Sequence, residues 1–546
     1  MGLAPPGWAG NLESAVSFTR PQWTALVVAA LLPLAFAAFT RHAWEDYFIT
    51  LRSSRHLVEG HGLVFNPGER VHTFTSPLGV VVPALCTALA GPDREETALW
   101  IFRLVNAALL AGAAALLWRR ATSLGLGWVG QVALFALLFL EAKLIDFSIN
   151  GMETALLVFF TLLLWCEVES RASPRPPVIA IAVAGLMWTR PDAFLLAGAI
   201  LGARVAIRDP AETTPRAAPR LLRRGLLLGG LFYLPWFAWA WWYYGTPVPH
   251  TVVAKSAYTP LVHWEQLLLI PWRTLLGQSM LLDLFLPAYW NFGGWPSLLP
   301  HLAHALSGIA AFAWLVPAFP TAARRASFAV FVGMFYLCSI VLFPWYVPPW
   351  TALAALALAF LLDAFHRTAV DAGRQGLAQI CRSLGATLVV VQVAVLVAVA
   401  WQMRVGQSLV EEGVRRGIGV WLRQHAARSD TVFLEPLGYI GYFSQLKTYD
   451  FPGLSSPEVV AAVRSGARRY ADVIARLQPD WVVLRPAEAA RPEFAQTGVL
   501  RHYEHVKTWD ASPQLASIHL LPGRGWLEAE AQFLLFRKKR AGRQPP

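Results

Sequence analysis

Two adjacent acids follow the first long apolar segment of the chain. Residues 23–40 form an apolar run, and Glu45 and Asp46 come shortly after it. Burial shifts the pKa of a carboxyl group, and ionisable groups at a membrane boundary are commonly functional. A carboxylate there could accept the proton of an attacking hydroxyl, while its neighbour orients it or shares a metal ion with it. Glu45 and Asp46 are therefore the candidate catalytic residues, and a divalent cation between them is left open.

Further polar residues gather at the ends of apolar segments on the same predicted side of the membrane. Such mixtures of acids and bases are costly to desolvate and suit the binding of a charged substrate. The cations among them could hold a phosphate and stabilise a leaving group, and the two tyrosines could stack on sugar rings. The candidate substrate-binding residues are Arg52, His61, Glu69, Arg70, Lys143, Glu153, Arg190, Asp192, His250, Lys255, Tyr439 and Tyr442.

Many of these candidates also have a structural alternative. Long basic side chains reach from apolar surface to the membrane interface without binding anything, and tyrosines pack in cores. The alternatives are an ion pair with Asp46 for Arg52, bracing of the first loop for Glu69 and Arg70, interfacial placement for Arg190 and Lys255, a helix cap for Glu153, and core packing for Tyr439 and Tyr442.

The composition is that of a membrane protein. Of the 546 residues, 56% are hydrophobic and only 15% are charged, against about 25% in globular proteins. The 24 tryptophans fit aromatic belts at the membrane interfaces. The net charge of +12 fits arginine-rich loops beside anionic lipid, and no motif accompanies it that would indicate nucleic-acid binding.

Apolar runs of suitable length predict a polytopic helical domain with about eleven spans. The short run 78–90 is predicted to be an interfacial helix. Basic residues then concentrate in alternate loops, which places the N-terminus in the cytoplasm and the first loop outside. The first run is expected to be a retained anchor and not a cleaved signal peptide. The predicted spans are 23–40, 98–118, 126–141, 153–167, 177–189, 193–207, 225–243, 300–318, 326–343, 350–364 and 384–402.

The last part of the chain changes character. From residue 403 charges become frequent, and alternating patterns replace long apolar runs. Residues 418–426 read as an amphipathic helix, and 431–434 and 481–484 read as short buried strands. The sequence thus predicts two domains, a transmembrane catalytic domain over 1–402 and a small periplasmic α/β domain over 403–546. The fold class is mostly α.

The clusters on the outer side suit one reaction, glycosyl transfer from a polyprenyl-phosphate sugar. The donor's tail would stay in lipid while its phosphate sits at the interface beside a cation. A carboxylate would take the proton from an acceptor hydroxyl as it attacks the anomeric carbon. A single displacement of this kind inverts the anomeric centre.

The same residues resemble a known family. The first-loop block from Glu45 to Leu78 is similar to the first outer loop of bacterial GT-C glycosyltransferases, especially the mycobacterial terminal arabinofuranosyltransferase type. Further similar blocks are Asn150–Thr154, Arg190–Asp192, Gly245–Lys255 and Gly438–Ser444, the last followed by Asp450–Leu454. The resemblance covers most of the chain from the first span to about Pro486.

The resemblance implies a polyprenyl-phosphate sugar donor, a periplasmic active site in the bacterial inner membrane, and a first-loop acid as the catalytic base, which maps onto Asp46. The acceptor would be a cell-envelope glycan, a lipid or a protein, and the transferred sugar could be arabinofuranose. The sequence departs from the family at Glu45, His72, Thr73 and His250, which bears on the identity of the sugar. Two rival functions stay open, a flippase for lipid-linked sugars and a non-catalytic scaffold for envelope assembly.

Overall fold

The computed structural model describes residues 19–170, 174–209, 217–258, 264–276, 284–339 and 342–539. The first part of the chain is helical throughout its regular structure. Its helices are α1 (Arg20–Thr40), α2 (Glu45–Val58), α3 (Leu78–Ala90), α4 (Glu95–Ser123), α5 (Trp128–Phe139), α6 (Ala142–Ile149), α7 (Thr154–Val168), α8 (Pro176–Thr189), α9 (Phe194–Ala206), α10 (Ala217–Tyr244), α11 (His250–Tyr258), α12 (Trp264–Leu275), α13 (Leu298–Phe312), α14 (Thr321–Leu337), α15 (Pro348–Asp371) and α16 (Gln375–Gly406).

The C-terminal part combines short helices with one sheet. A π-helical segment, Gln407–Arg416, links α16 to it. Its remaining elements are α17 (Gly417–His425), β1 (Thr431–Leu434), α18 (Gly438–Ser444), β2 (Lys447–Asp450), α19 (Pro457–Arg464), α20 (Tyr470–Leu477), β3 (Trp481–Leu484), α21 (Pro486–Ala489), α22 (Pro492–Thr497), β4 (Tyr503–Asp510), α23 (Ser512–Ala516), α24 (Arg524–Ala529) and β5 (Gln532–Lys538).

The core of the helical part forms around α15. This helix begins with Pro348 and Pro349, whose fixed φ suits a first turn, and continues as an alanine- and leucine-rich run that is buried on nearly every face. Helices α5, α14 and α16 pack around it. A helix that is apolar all round must be enclosed by other helices, and α15 is.

Five helical stretches among the described residues are long and apolar enough to cross a membrane, or six if the bent pair α6–α7 counts as one span. They are Gln22–Thr40, Glu95–Ser123, Leu298–Leu315, Pro348–Asp371 and Gln375–His425. The predicted count of eleven is not confirmed. Several predicted spans correspond to helices of only 12–14 residues, such as α5 and α8, because turns interrupt the apolar runs. The multi-pass, mostly helical prediction is confirmed.

The sharp bend between α6 and α7 positions the candidate site. The two helices meet at 118° over the break formed by residues 150–153. Gly151 in this break has φ +103°, a conformation that favours glycine, and it packs against the ring of Tyr47 in α2. The Trp44 N–H, just before α2, donates to the Asn150 carbonyl oxygen at 2.8 Å. These two contacts with residues 150 and 151 therefore fix the position of the N-terminal end of α2.

The C-terminal sheet has the strand order β2-β1-β3-β5-β4. β1 is parallel to β2 and β3, whereas β5 is antiparallel to β3 and β4. The predicted strands 431–434 and 481–484 are confirmed as β1 and β3, and the predicted amphipathic helix corresponds to α17. Their side chains form the two apolar layers on either side of the sheet.

The junction between the two parts is continuous helix. Residues 375–425 run through α16, the π-helical segment and α17 without a break, so the boundary predicted after residue 402 falls inside this helix. The cytoplasmic connection expected over 209–222 includes residues 210–216, which lie outside the described residues.

Candidate active site

Glu45 and Asp46 occupy the first turn of α2, where the helix dipole favours negative charge. Both residues are half-buried. The Glu45 carboxylate accepts a hydrogen bond from the backbone N–H of Gly438, at the start of α18. A Cβ atom at Gly438 would overlap the Glu45 carbonyl oxygen, so only glycine permits this approach. The C-terminal part therefore reaches directly to the acid pair.

The two carboxyl groups form a hydrogen bond with each other, and the pKa of each is raised. Burial, followed by the charge of Asp46, raises the pKa of Glu45 well above its usual range. Burial also raises the pKa of Asp46, although a hydrogen bond from Glu45 and the charge of Lys255 oppose the rise. The hydrogen bond between the two carboxyl groups favours the ionised form of Asp46 and the protonated form of Glu45. This division suits Asp46 as a base.

Two side chains clamp the backbone just before the acid pair. Gln407 accepts the Ala43 N–H through Oε1 at 3.0 Å and donates to the Tyr439 hydroxyl through Nε2 at 3.0 Å. The Tyr439 hydroxyl in turn donates to the Ala43 carbonyl oxygen at 3.2 Å. Because Gln407 belongs to the π-helical segment and Tyr439 to α18, the C-terminal part fixes both the backbone and the carboxylate of this turn.

A buried charge network lies beside the pair. Arg415 is bound to Glu411 and Glu530, each at 2.6 Å, and its positive charge acts on Glu45 and Asp46. Arg485 binds the same Glu530 at 2.8 Å. Arg415 therefore places positive potential at the two acids, and its ion pairs with Glu411 and Glu530 fix its side chain.

Lys255 is the cation that faces Asp46. Its charge lowers the pKa of Asp46, and its ammonium lies 4.7 Å from the centre of the Phe343 ring. Phe343 stacks on Trp345 at 4.7 Å, and Trp345 meets Trp44 edge to face at 5.9 Å. An aromatic wall thus joins Lys255 to the residue preceding the acids.

Glu153, Arg190 and Asp192 form a second ionic group next to the acids. Arg190 binds Asp192 through two nitrogens, at 2.9 and 3.1 Å, and Glu153 at 3.4 Å. Its guanidinium also lies 4.1 Å from the centre of the Tyr346 ring. Glu153 is close enough to Asp46 for their negative charges to repel. The structure therefore brings six predicted site residues into one region: Glu45, Asp46, Glu153, Arg190, Asp192 and Lys255.

Arg52 and Glu69 are not part of that region. Arg52 is 1% exposed and donates to the carbonyl oxygens of Gly441 and Leu446, at 2.7 and 3.2 Å. Glu69 binds Lys447 at 2.6 Å. Both side chains bind the first loop to the C-terminal part. Arg52 is enclosed there, whereas 31% of the Glu69 side chain remains exposed. A role for either residue as a substrate ligand stays a prediction.

His61 and Arg70 lie beyond the far end of α2. A helix of this length separates its ends by about 20 Å, because each residue rises 1.5 Å. His61 is exposed and stands edge to face with His56, and the Arg70 guanidinium lies 4.9 Å from the centre of the Tyr243 ring. The sequence grouped them with the acids because they share one loop, but helix formation carries them away.

Lys143 and His250 have other partners. The Lys143 ammonium donates to the Leu286 carbonyl oxygen at 2.9 Å and is 2% exposed. His250 begins α11, and the charges that act on its ring belong to residues of the C-terminal part, Asp450 first among them. Lys143 therefore supports the fold, and His250 faces the C-terminal part while Lys255, on the same helix, faces Asp46.

The predicted sugar-stacking tyrosines are core residues. Tyr439 is 0% exposed and Tyr442 is 3% exposed. Both rings pack on Phe48 of α2, with centroids 4.2 and 5.2 Å away. A buried ring cannot offer a face to a sugar, so the alternative of core packing replaces the stacking role. The reason is that α18 docks along α2, which the sequence does not indicate.

No three-residue group of His, Cys, Asp or Glu that could hold a metal ion occurs in the described part of the chain. Glu45 and Asp46 are two carboxylates with an internal hydrogen bond, which fits a base and its partner. A divalent cation shared by the two acids stays an open prediction.

Sequence reasoning missed three contributors to the site, namely Gly438, Arg415 and Tyr289. Tyr289 stacks on Trp44 at 5.8 Å and on Trp526 at 4.0 Å, which links the aromatic wall to the C-terminal part. Gly438 begins a block that resembles the family, but its role depends on a backbone contact. Arg415 stands in a run of charges that resembles a solvated helix face, so no pattern separated it from the others.

Comparisons with known proteins agree with this architecture. A family model described as "Domain of unknown function (DUF8728)" matches residues 402–533. Terminal beta-(1->2)-arabinofuranosyltransferase from Corynebacterium glutamicum is 29% identical over 309 residues, 51% of this chain and 43% of that protein. The protein of the same name from Mycobacterium tuberculosis is 28% identical over 260 residues, 43% of this chain and 38% of that protein. The matches thus span less than half the length of these relatives.

A solved structure extends the comparison to the whole fold. The crystal structure of ArnT from Cupriavidus metallidurans bound to undecaprenyl phosphate has a TM-score of 0.50 and 14% identity, covering 97% of this chain and 100% of that chain. At this identity the likeness concerns the fold alone. The predicted resemblance is thereby confirmed: this chain resembles the terminal arabinofuranosyltransferases in sequence and shares with ArnT the fold expected of a GT-C glycosyltransferase.

Proposed function

We propose that this protein is an inverting membrane glycosyltransferase that moves a sugar from a polyprenyl-phosphate donor to a hydroxyl group of an acceptor. The observation that carries the proposal is the acid pair in the first turn of α2, where a hydrogen bond from Glu45 and the charge of Lys255 both favour the ionised form of Asp46. The names of the relatives and the fold shared with a polyprenyl-phosphate-bound enzyme support it.

The reaction needs one displacement. The acceptor oxygen forms its bond to the anomeric carbon as the bond from that carbon to the phosphate oxygen breaks, and the configuration inverts. The hydroxyl proton passes to the Asp46 carboxylate. Polyprenyl phosphate leaves with one more negative charge than it had as a diester, and Lys255 stabilises that charge. Glu45 orients Asp46 throughout.

The remaining ionic and polar groups position Glu45 and Asp46. Arg190 holds Glu153 beside Asp46, while Gly438, Gln407 and Arg415 fix the first turn of α2 from the C-terminal part. In the proposed topology the N-terminus is cytoplasmic, and the acid pair and residues 403–546 lie on the outer face of a bacterial plasma membrane. The acceptor would be a cell-envelope glycan or another hydroxyl-bearing molecule there, and arabinofuranose is the sugar that the relatives' names favour.

The experiment that tests the proposal uses the purified full chain in proteoliposomes. A panel of polyprenyl-phosphate sugars, including arabinofuranose, is supplied with a glycan acceptor, and released polyprenyl phosphate and glycosylated acceptor are quantified by mass spectrometry. We expect matched release and transfer with one donor. Movement of intact donor across the bilayer without release would favour a flippase, and neither activity with any donor would contradict the proposal.

A further inference from the structure

A cavity of about 400 Å³ lies across α2 from the catalytic acid. The end of α1, the first turns of α2 and α4, the end of α16 and α18 surround it. Phe48 lines it and follows Asp46 by two positions, which places the two side chains about 200° apart around the helix. Neither Glu45 nor Asp46 lines this cavity. It is therefore a second space, separate from the proposed donor site.

The lining of this cavity carries both signs of charge. Arg103 donates hydrogen bonds to the carbonyl oxygens of Ile149 and His42, at 2.9 and 2.7 Å, and so stabilises one side of the cavity. Arg404 uses one N–H on the Phe39 carbonyl oxygen at 3.1 Å, which leaves further N–H groups in its guanidinium. The charged lining residues are Arg41, Arg103, Arg404, Arg416, Glu95, Glu96 and Glu412.

Tyr47 lines the cavity, and its hydroxyl has no hydrogen-bond partner among the described residues. Tyr47 is 1% exposed, and the groups that act electrostatically on its hydroxyl are Tyr442 and Cys86 together with Arg103 and Glu95 of the lining. A buried hydroxyl without a hydrogen-bond partner is costly, because folding has removed its hydrogen bonds to water. A polar atom of a bound molecule would remove that cost.

The cavity continues into a lipid-facing surface. Arg404 lies near the end of α16, and Trp401 and Val397 precede it by three and seven positions, which places them on its face of the helix. They are 40% and 63% exposed. A molecule with its polar head in the cavity could therefore lay an acyl chain along α16.

We propose that this cavity binds the headgroup of a zwitterionic phospholipid. Arg404 and Arg41 take the phosphate, Glu95 and Glu96 take the ammonium, and the Tyr47 hydroxyl donates to a phosphate oxygen. Arg416 is already paired with Glu412 at 2.6 Å and lies 4.0 Å from Glu95. A purely anionic headgroup would bring negative charge against Glu95 and Glu96, and a neutral one would leave Arg41 and Arg404 without an acidic partner. The bound lipid joins α1, α4, α16 and α18 around the helix that carries the acid pair.

Native mass spectrometry of the detergent-purified full chain tests this site. The protein is titrated with phosphatidylethanolamine, phosphatidylglycerol and glycerophosphoethanolamine, the last being the headgroup without chains. We expect phosphatidylethanolamine to bind at least fivefold more tightly than either of the others. Arg404→Gln and Tyr47→Phe should each weaken that binding at least threefold, while Arg423→Gln, an exposed arginine on α17, should not change it.

Each other outcome overturns part or all of the proposal. Equal binding of the two intact lipids removes the zwitterionic assignment, and equally tight binding of glycerophosphoethanolamine removes the acyl-chain path along α16. Unchanged binding in both cavity variants places the lipid elsewhere. Because Asp46 lies outside the cavity, Asp46→Asn should bind phosphatidylethanolamine as the wild type does, so this test stands whatever the outcome of the transfer assay.

Discussion

The backbone N–H of Gly438 donates a hydrogen bond to the carboxylate of Glu45, across 393 positions of sequence. This contact joins the C-terminal part of the chain to the first turn of the helix that carries the acid pair. The C-terminal part is therefore a component of the candidate active site. It supplies a hydrogen-bond donor, a clamp on the preceding backbone and, through Arg415, positive potential.

Gly438→Ala should damage the site. The new Cβ would meet the Glu45 carbonyl and carboxylate oxygens, so α18 and α2 must separate. We expect a loss of roughly 1–3 kcal/mol in the free energy of unfolding, typical of overpacking, together with a large loss of turnover. Thermal unfolding and transfer assays measure the two effects. Gly376→Ala is the matched control, because a Cβ at Gly376 meets nothing within 4 Å.

The pH dependence of kcat/KM should report the acid pair. Burial raises the pKa of Asp46, so the acid limb should lie above the value of about 3.9 typical of free aspartate. The hydrogen bond from Glu45 stabilises ionised Asp46 and opposes that rise. Glu45→Ala removes the donor and should move the limb to higher pH, whereas Glu45→Gln keeps an amide donor and should leave it near the wild-type position. If the acid limb shifts by the same amount in Glu45→Ala and Glu45→Gln, Glu45 does not act as the hydrogen-bond donor to Asp46.

Replacement of Lys255 should slow the chemical step more than it weakens donor binding. A cation that stabilises charge developing on the leaving phosphate acts mainly in the transition state, so Lys255→Gln should lower kcat roughly 10²–10³-fold with a smaller change in KM. Lys255→Arg should recover part of the activity because it restores the charge. Lys507→Gln, at an exposed lysine on β4, is the control. A change confined to KM would make Lys255 a simple binding residue.

Arg190 should be essential for stability as well as activity. It is 5% exposed and balances two carboxylates, Glu153 and Asp192. Removing one partner of a buried ion pair leaves uncompensated charge and costs about 3–5 kcal/mol. Arg190→Gln should therefore lower the free energy of unfolding by about that amount, and adding Glu153→Gln should restore part of it. A strictly additive double variant would show that the pair is not coupled.

Local pattern was sufficient for much of the fold. The length of the apolar runs indicates the membrane class, and the short apolar runs 431–434 and 481–484 predict β1 and β3 at their observed bounds. The number of spans was harder to predict. Apolar composition does not reveal where a helix bends, as α6 and α7 do at residues 150–153.

The candidate site was predictable where its residues are adjacent in sequence or belong to blocks that resemble the family. Glu45 and Asp46 are adjacent, and the family resemblance pointed to Arg190 and Lys255 as well. His61 failed because α2 carries it away from the acids, and Tyr439 failed because α18 buries it against Phe48. Arg415 acts on the acids through tertiary packing alone, for which neither periodicity nor spacing gives an indication.

The most direct test of the central claim compares Asp46→Asn with the wild type in proteoliposomes that contain the preferred polyprenyl-phosphate sugar. Loss of the general base should lower release of polyprenyl phosphate by about 10²–10⁴-fold, while expression and unfolding temperature stay close to those of the wild type. Release by Asp46→Asn at the wild-type rate would contradict the account, because Asp46 would then have no part in the reaction.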